Sequence, residues 1–110
     1  MASKQRQAEN EAIFRGANEQ LERYAAANVN NGLGRVLPFL CECDRTDCTK
    51  VVLVTRPEYE RVRADSRRSV MVRGHENPEI ERVVEETDRY VVSEKFGVAA
   101  EVYGELDPRS

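Results

Sequence analysis

The feature that most constrains this chain is a cluster of cysteines directly after a hydrophobic run. Phe39-Leu40 leads into Cys41, Cys43 and Cys48, and these are all the cysteines in the 110 residues. Charged residues stand between them, which a buried patch of small apolar side chains would avoid. An odd number of thiols in so short a stretch also argues against a disulfide framework. The two roles that remain for these cysteines are metal ligation and redox chemistry.

The only histidine, His75, adds a fourth side chain of the kind that binds metals. It lies in a Gly-His-Glu segment well beyond the cysteines. Zinc prefers a tetrahedral set of thiolates and imidazoles, and sites that stabilise a fold commonly combine three cysteines with one histidine. The sequence therefore predicts a structural Zn²⁺ site of Cys41, Cys43, Cys48 and His75. Such a site would cross-link a small, polar domain.

Two alternatives to this interpretation stay open. Asp44, Asp47 or water could take the fourth position, and an open water position would permit catalysis with Glu76 as the base. The other alternative is a redox sensor whose cysteines release the metal on oxidation, although Cys-x-Cys lacks the helix N-terminus that lowers a thiol pKa. Because the chain carries no convincing acid–base or nucleophile constellation, we predict a protein without catalytic activity.

Residues 7–29 predict one long amphipathic helix, because proline is absent and strong helix formers dominate. A mostly apolar stripe recurs at spacings of three and four, at Phe14, Ala17, Leu21, Tyr24 and Asn28, and Ile13 and Ala25 widen it. The opposite face should be solvated and carries Glu11, Arg15, Asn18 and Glu22. We expect the apolar stripe to pack on the chain's own sheet; binding to a partner, or a helical dimer seam, is the alternative. Asparagines and glycines at 30–34 end the helix.

The middle of the chain predicts a hairpin followed by a short helix. Strands over 35–42 and 51–54 flank the cysteines, which then lie at the hairpin tip. The β-branched second run is typical of a fully buried strand. Thr55 and Glu58 match a capping box that starts a helix over 56–64.

The second half of the chain predicts further strands over 69–72 and 89–96. Two interpretations of 78–86 stay open: Asn77 could cap a helix, whereas the β-branched residues permit a strand in a hairpin. Residues 98–102 either add a short edge strand or stay irregular.

Together these elements predict a single α+β domain over residues 1–110, since a chain of this length holds one modest core. We expect a small, mainly antiparallel sheet, the long N-terminal helix over 7–29 and a short second helix. The zinc-binding core covers 35–103, and residues 1–6 and 104–110 form frayed tails.

Composition and charge narrow the function classes. The net charge of -3 argues against a general nucleic-acid binder. No stretch of about 20 apolar residues is present, and the polar N-terminus lacks a signal-peptide core, so we expect a cytoplasmic protein.

A basic segment nevertheless keeps a nucleic-acid-associated regulator as an alternative. It contains Arg56, Arg61, Arg63, Arg67, Arg68 and Arg73. We favour a solvated face with ion pairs for these arginines. The partner that we expect is a protein, for which the N-terminal helix is the alternative binding surface named above, and the oligomeric state stays open.

Several segments form a recognisable pattern. They are Phe39-Leu40-Cys41-Glu42-Cys43 with Cys48, Thr55 with Glu58-Tyr59, Gly74-His75-Glu76 and Asp88-Arg89-Tyr90-Val91-Val92. Together they resemble a set of small, uncharacterised proteins of the actinobacterial type. The resemblance implies that the cysteines and the histidine belong to one module, and it implies no substrate or activity.

Overall fold

Three helices and five strands make up the fold, in a computed structural model that describes residues 3–28 and 35–109. In chain order they are α1 (Lys4–Asn28), β1 (Val36–Leu40), β2 (Val51–Thr55), α2 (Arg56–Arg63), β3 (Arg68–Met71), β4 (Glu81–Glu86), β5 (Val91–Lys95) and α3 (Gly97–Glu105). The predicted α+β class is confirmed. The expected helix stop at 30–34 lies outside the described residues. Within the described ranges, no helix is both long and apolar enough to cross a membrane.

The strands form two small antiparallel sheets. β1 and β2 make a hairpin in which Phe39 pairs with Val52, and the cysteine loop lies at its tip as predicted. The second sheet has the order β3-β5-β4. The open question about 78–86 is answered by a short turn followed by β4, because the Asn77 side chain accepts from the Glu79 N–H in a tight turn and the β-branched residues then pair with β5.

The prediction that β2 is fully buried is wrong. Val52 and Val54 are buried, whereas Val51 and Leu53 are 51% and 45% exposed. Successive side chains of a strand point to opposite faces, and only one face of this hairpin is covered by the core.

The main hydrophobic core lies between the hairpin, α2 and the second sheet. Phe39 and Tyr59 stack there with ring centroids 4.4 Å apart, and Val54, Val62 and Val70 surround them. Tyr59 and Val62 come from α2, whose predicted capping box is confirmed: Thr55 Oγ1 accepts from the Glu58 N–H and Glu58 Oε1 accepts from the Thr55 N–H. The sequence therefore places α2 correctly at the end of β2.

The Glu58 carboxylate makes a pH-dependent contribution to stability. Burial raises its pKa, but hydrogen bonds from Arg89 and Thr55 outweigh burial and lower the pKa from 4.5 to about 2. Since the folded pKa lies below the ordinary value, the stabilisation is complete above pH 4.5 and is lost as the pH falls toward 2. Glu58→Gln, which keeps the capping acceptor, should lower the melting temperature by about 5 °C near neutral pH and by almost nothing at the acid end.

Thermal unfolding followed by circular dichroism over a pH series checks this. Glu101→Gln, at an exposed position of α3, is the matched control and should leave the melting temperature nearly unchanged. If Glu58→Gln lowered the melting temperature equally near neutral pH and near pH 2, the pH-dependent role of the Glu58 carboxylate would be contradicted.

The orientation expected for α1 is wrong. The face predicted to be solvated is buried, with Glu11, Arg15 and Asn18 fully covered. The apolar residues Ile13 and Leu21 instead point outward, 64% and 42% exposed. The helix also begins earlier than predicted, because Ser3 Oγ accepts from the Arg6 N–H.

Charged partners from distant segments make this inverted orientation possible. Lys95 Nζ lies 2.5 Å from a Glu11 oxygen and 2.8 Å from a Glu81 oxygen, and all three side chains are buried. Burial raises the pKa of Glu11 well above its ordinary value, and Lys95 partly offsets that rise. Arg15 donates to the Tyr103 carbonyl at 2.6 Å. The buried face of α1 is thus held by polar contacts whose partners offset part of the cost of burial.

The C-terminal segment is ordered where frayed ends or an edge strand were expected. Residues 98–102 belong to α3, because Ala99 and Tyr103 pack against Ala8 and Ile80. Residues 104–110 do not begin as a frayed tail: α3 continues to Glu105, and the segment after it is tied down by ion pairs. These pairs join Asp107 to Arg63, and Arg109 to Glu19, Glu22 and Glu60.

The basic segment around α2 forms ion pairs, as predicted, but it is not solvated throughout, because the Arg63 side chain is buried between Glu19 and Asp107. The pairs are Arg56 with Glu22, Arg61 with Glu85, Arg63 with Glu19 and Asp107, Arg67 with Asp65, Arg68 with Glu94, and Arg73 with Glu86. Each arginine therefore already has a carboxylate partner, which reduces the positive charge available to phosphates.

Candidate metal centre

The three cysteines and the single histidine come together at one end of the β1–β2 hairpin. Cys41 directly follows β1, Cys43 and Cys48 lie in the loop before β2, and His75 lies in the loop after β3. One possible ligand atom from each residue falls within 4.8 Å of all the others. The four residues that the sequence predicts as ligands thus form a group that could hold a metal ion.

The distances to the imidazole suit a tetrahedral ion. His75 Nδ1 lies 3.5 Å from Cys41 Sγ and 3.7 Å from Cys48 Sγ. An ion bound to sulfur at roughly 2.3 Å and to nitrogen at roughly 2.0 Å separates those two atoms by about 3.6 Å. The spacing of His75 Nδ1 from the Cys41 and Cys48 sulfurs is therefore compatible with a tetrahedral zinc ion.

Backbone hydrogen bonds shape the two loops that carry the ligands. The Cys41 N–H donates to the Lys50 carbonyl at 3.0 Å and so extends the hairpin by one residue. The Val72 N–H donates to Cys41 Sγ at 3.2 Å, which favours a negatively charged sulfur. The His75 N–H closes a turn onto the Val72 carbonyl. The ligand positions thus follow directly from the ends of β1 and β3.

Asp44 connects the two loops instead of joining the ligand group. Its Oδ2 accepts from Asn77 Nδ2 at 2.9 Å, and its carbonyl accepts from Asn10 of α1. Glu76, the residue considered as a base, accepts from the Gly74 N–H within its own loop. In the described part of the chain the group of possible ligands contains His75, and neither Asp44 nor Asp47 belongs to it.

The pKa values of the two buried thiols, Cys41 and Cys43, shift in opposite directions. A hydrogen bond from the Cys41 thiol lowers the pKa of Cys43 to about 5, with help from the Arg45 backbone and His75. The same hydrogen bond, together with burial, raises the pKa of Cys41. Because metal ligands must be deprotonated, a cation would replace the proton that these sulfurs share.

Glu42, between two of the cysteines, positions the ligand loop. It is fully buried and accepts from Asn18 Nδ2 at 2.9 Å, from the Tyr59 hydroxyl at 2.7 Å and from the Val70 N–H at 3.1 Å. Burial raises its pKa even though these three donors oppose the rise. Sequence reasoning treated Glu42 only as a charge that separates cysteines, and its isolated position in a hydrophobic run was the one available signal.

Gly74 sets the direction of the histidine loop and gives a matched pair of predictions. Its φ is +89°, a conformation that strains any other L residue, although nothing lies near the site of an added Cβ. Gly74→Ala should therefore cost about 1 kcal/mol through the backbone alone. Gly16→Ala in α1, where space is also open, should instead stabilise by about 1 kcal/mol.

Urea unfolding of both alanine variants beside the wild type measures these two effects. We expect Gly74→Ala to lower the free energy of unfolding and Gly16→Ala to raise it, although the chemical change is the same. Stabilisation by Gly74→Ala would contradict the backbone conformation given for the histidine loop.

Comparisons with known proteins supply no relative. No family model matches the chain, and neither a curated protein nor a solved structure matches it. The resemblance drawn from the sequence therefore stays a prediction, and the function must be argued from the site.

Proposed function

We propose that this chain is a small zinc-stabilised interaction module without catalytic activity. The observation that supports the proposal best is the gathering of Cys41, Cys43, Cys48 and His75 around one centre. Three thiolates and one imidazole are the soft and borderline ligands that zinc prefers, and they are unlike the all-oxygen sets that suit magnesium or calcium.

The site fits a structural role because its four side chains would complete a tetrahedral shell without a water ligand. A catalytic zinc site keeps one position for water or substrate. Here the ion would join the hairpin tip to the loop after β3, and its binding free energy would add to the stability of the fold. Met71 and Val91, which pack against the buried cysteines, would shield the centre from water.

An interaction role is supported by the outward face of α1. Ile13, Leu21 and Tyr24 are exposed, and a shallow apolar groove of about 230 Å³ lies between Leu21 and Pro38 of β1. Apolar side chains grouped on one face are typical of surfaces that contact other proteins. We therefore keep the proposal of a protein partner at this helix.

The redox alternative receives less support. Cys41 and Cys43 are buried, and only Cys48 is partly exposed. Oxidants reach exposed thiolates first, so the adjacent pair is poorly placed for rapid disulfide formation.

Cobalt substitution tests the proposed ligand set. Co²⁺ added to chelator-treated protein should give the intense charge-transfer and d–d absorption of a tetrahedral thiolate site, and Zn²⁺ should abolish both. The Cys48→Ser variant should show weaker charge-transfer absorption. A spectrum of octahedral, oxygen-ligated Co²⁺ in the wild type would contradict the proposal.

A further inference from the structure

Along one edge of β2, some backbone groups have no partner in the described part of the chain. Lys50 accepts from the Cys41 N–H, so its backbone faces β1. Backbone direction alternates along a strand, and Val51 and Leu53 therefore face away from β1. The Leu53 carbonyl accepts from Arg89 at 2.7 Å. The backbone N–H and carbonyl of Val51 and the N–H of Leu53 have no hydrogen-bond partner among residues 3–28 and 35–109.

A groove runs beside this free edge. It encloses about 390 Å³, which lies within the range of roughly 300–1,000 Å³ that ligand sites occupy. One wall is 50–52 at the start of β2. The other wall is formed by 72–73 after β3 and by 87–90 between β4 and β5. Val51, whose two backbone groups are free, therefore borders an open space, and a strand that pairs with Val51 there would run on toward the Leu53 N–H. We call this space the β2 groove.

The walls of the β2 groove are mainly positive. Lys50, Arg73 and Arg89 line it, against a single acidic residue, Asp88, whose side chain is 94% exposed. Arg73 and Arg89 share their charge with glutamates outside the groove. Lys50 forms no ion pair with any residue that the structure describes. An acidic ligand would find an unshared cation at Lys50.

The exposed face of β2 indicates what else the ligand should carry. Val51 and Leu53 are about half exposed in a run whose sequence is typical of a buried strand. A strand added along the free edge would place its own alternate side chains beside these two residues. Apolar residues at those alternate positions would cover them.

The candidate metal centre adjoins both walls along the chain. Cys48 comes two residues before Lys50, and His75 comes two residues after Arg73. Cys48 Sγ and His75 Nδ1 are 3.7 Å apart. An ion bound to both would fix the spacing of the walls.

We propose that the β2 groove binds an extended peptide of another protein in which acidic and apolar residues alternate. The peptide adds to β2 as a strand: its backbone pairs with the N–H and carbonyl of Val51 and with the Leu53 N–H, an acidic side chain meets Lys50, and its apolar side chains cover the exposed face of Val51 and Leu53. Strand addition of this kind takes affinity from main-chain hydrogen bonds and specificity from alternate side chains. This inference deepens the proposed function, on which it rests for the metal that holds the walls.

Amide hydrogen exchange of the full ¹⁵N-labelled, zinc-treated chain tests the inference. The probe is a short capped peptide that alternates valine and glutamate, and its control alternates valine and lysine. We expect the glutamate peptide to slow exchange at the Val51 and Leu53 amides by about tenfold or more, and the lysine peptide to leave both unchanged. N-methylation of the probe backbone should abolish the effect.

Two charge reversals make the test specific. Lys50→Glu should weaken binding of the glutamate peptide by about tenfold, whereas Lys4→Glu, the same change at an exposed position of α1, should not alter it. Unchanged exchange at Val51 and Leu53 in a folded sample would overturn the inference, as would equal binding of both peptides.

The metal content of each sample separates this inference from the proposed function. A folded sample that holds zinc but does not bind the peptide overturns the groove alone. A folded sample that binds the peptide without zinc overturns the zinc proposal, together with the metal's role in spacing the walls, and supports the groove on its free backbone edge alone. A folded sample that neither holds zinc nor binds the peptide overturns the zinc proposal and the groove.

Discussion

Lys95→Met is expected to lower the free energy of unfolding by about 3–5 kcal/mol. Lys95 is the shared partner of Glu11 and Glu81, and methionine leaves these two buried carboxylates without a counter-charge. The loss is large beside the roughly 5–15 kcal/mol that stabilises a typical domain. Urea unfolding followed by circular dichroism measures it.

Two further variants control this result. Adding Glu11→Gln to Lys95→Met should recover part of the loss, since only one buried carboxylate then remains. Lys4→Met, at an exposed position, should change the stability by less than about 0.5 kcal/mol. If Lys95→Met were as mild as Lys4→Met, the polar attachment of α1 to the sheet would be wrong.

The second large effect concerns the ligands. Cys41→Ser or Cys48→Ser in metal-loaded protein should lower the melting temperature by more than about 10 °C, because metal binding free energy contributes to folding. His75→Ala should have a smaller effect. Water can replace an imidazole in the shell, whereas a lost thiolate removes a charged ligand.

A chelator provides the matched control for the cysteine variants. With the metal removed, wild type and Cys41→Ser should melt at nearly the same temperature, because both then lack the same interaction. Equal melting temperatures before chelation would instead show that the cluster does not stabilise the fold through a metal.

Most helices and strands can be predicted from the sequence, but the face of α1 that is buried cannot. Sequence reasoning assigns charged residues to solvent, and here that assumption fails because each buried charge finds a partner far away in the chain. Glu11 meets Lys95, and Glu19 meets Arg63 and Arg109. No local pattern around α1 reveals these partners. An amphipathic sequence pattern therefore predicts that a helix forms more reliably than it predicts which face of the helix is buried.

The helix α3 was missed for a related reason. Its valines and glycines favour other conformations, and Phe96 provides no side-chain cap. The segment is helical because Ala99 and Tyr103 pack against Ala8 and Ile80, which lie in distant parts of the chain. Tertiary packing outweighs local preference here.

The candidate ligands could be found from the sequence, because their chemistry is confined to few residues. Cysteines so close together, and a single histidine, leave little choice of partners. Glu42 could not be assigned in the same way, since its role depends on donors that Asn18, Tyr59 and Val70 bring from three other elements. Residue type predicts the candidate ligands, and the fold supplies the groups that surround them.

Native mass spectrometry of the chain purified without added metal tests the central claim most directly, with elemental analysis of the same sample. We predict one zinc ion per folded chain, its loss on denaturation, and no retained zinc in the Cys41→Ser variant. A folded wild-type chain that carries no metal would contradict the account.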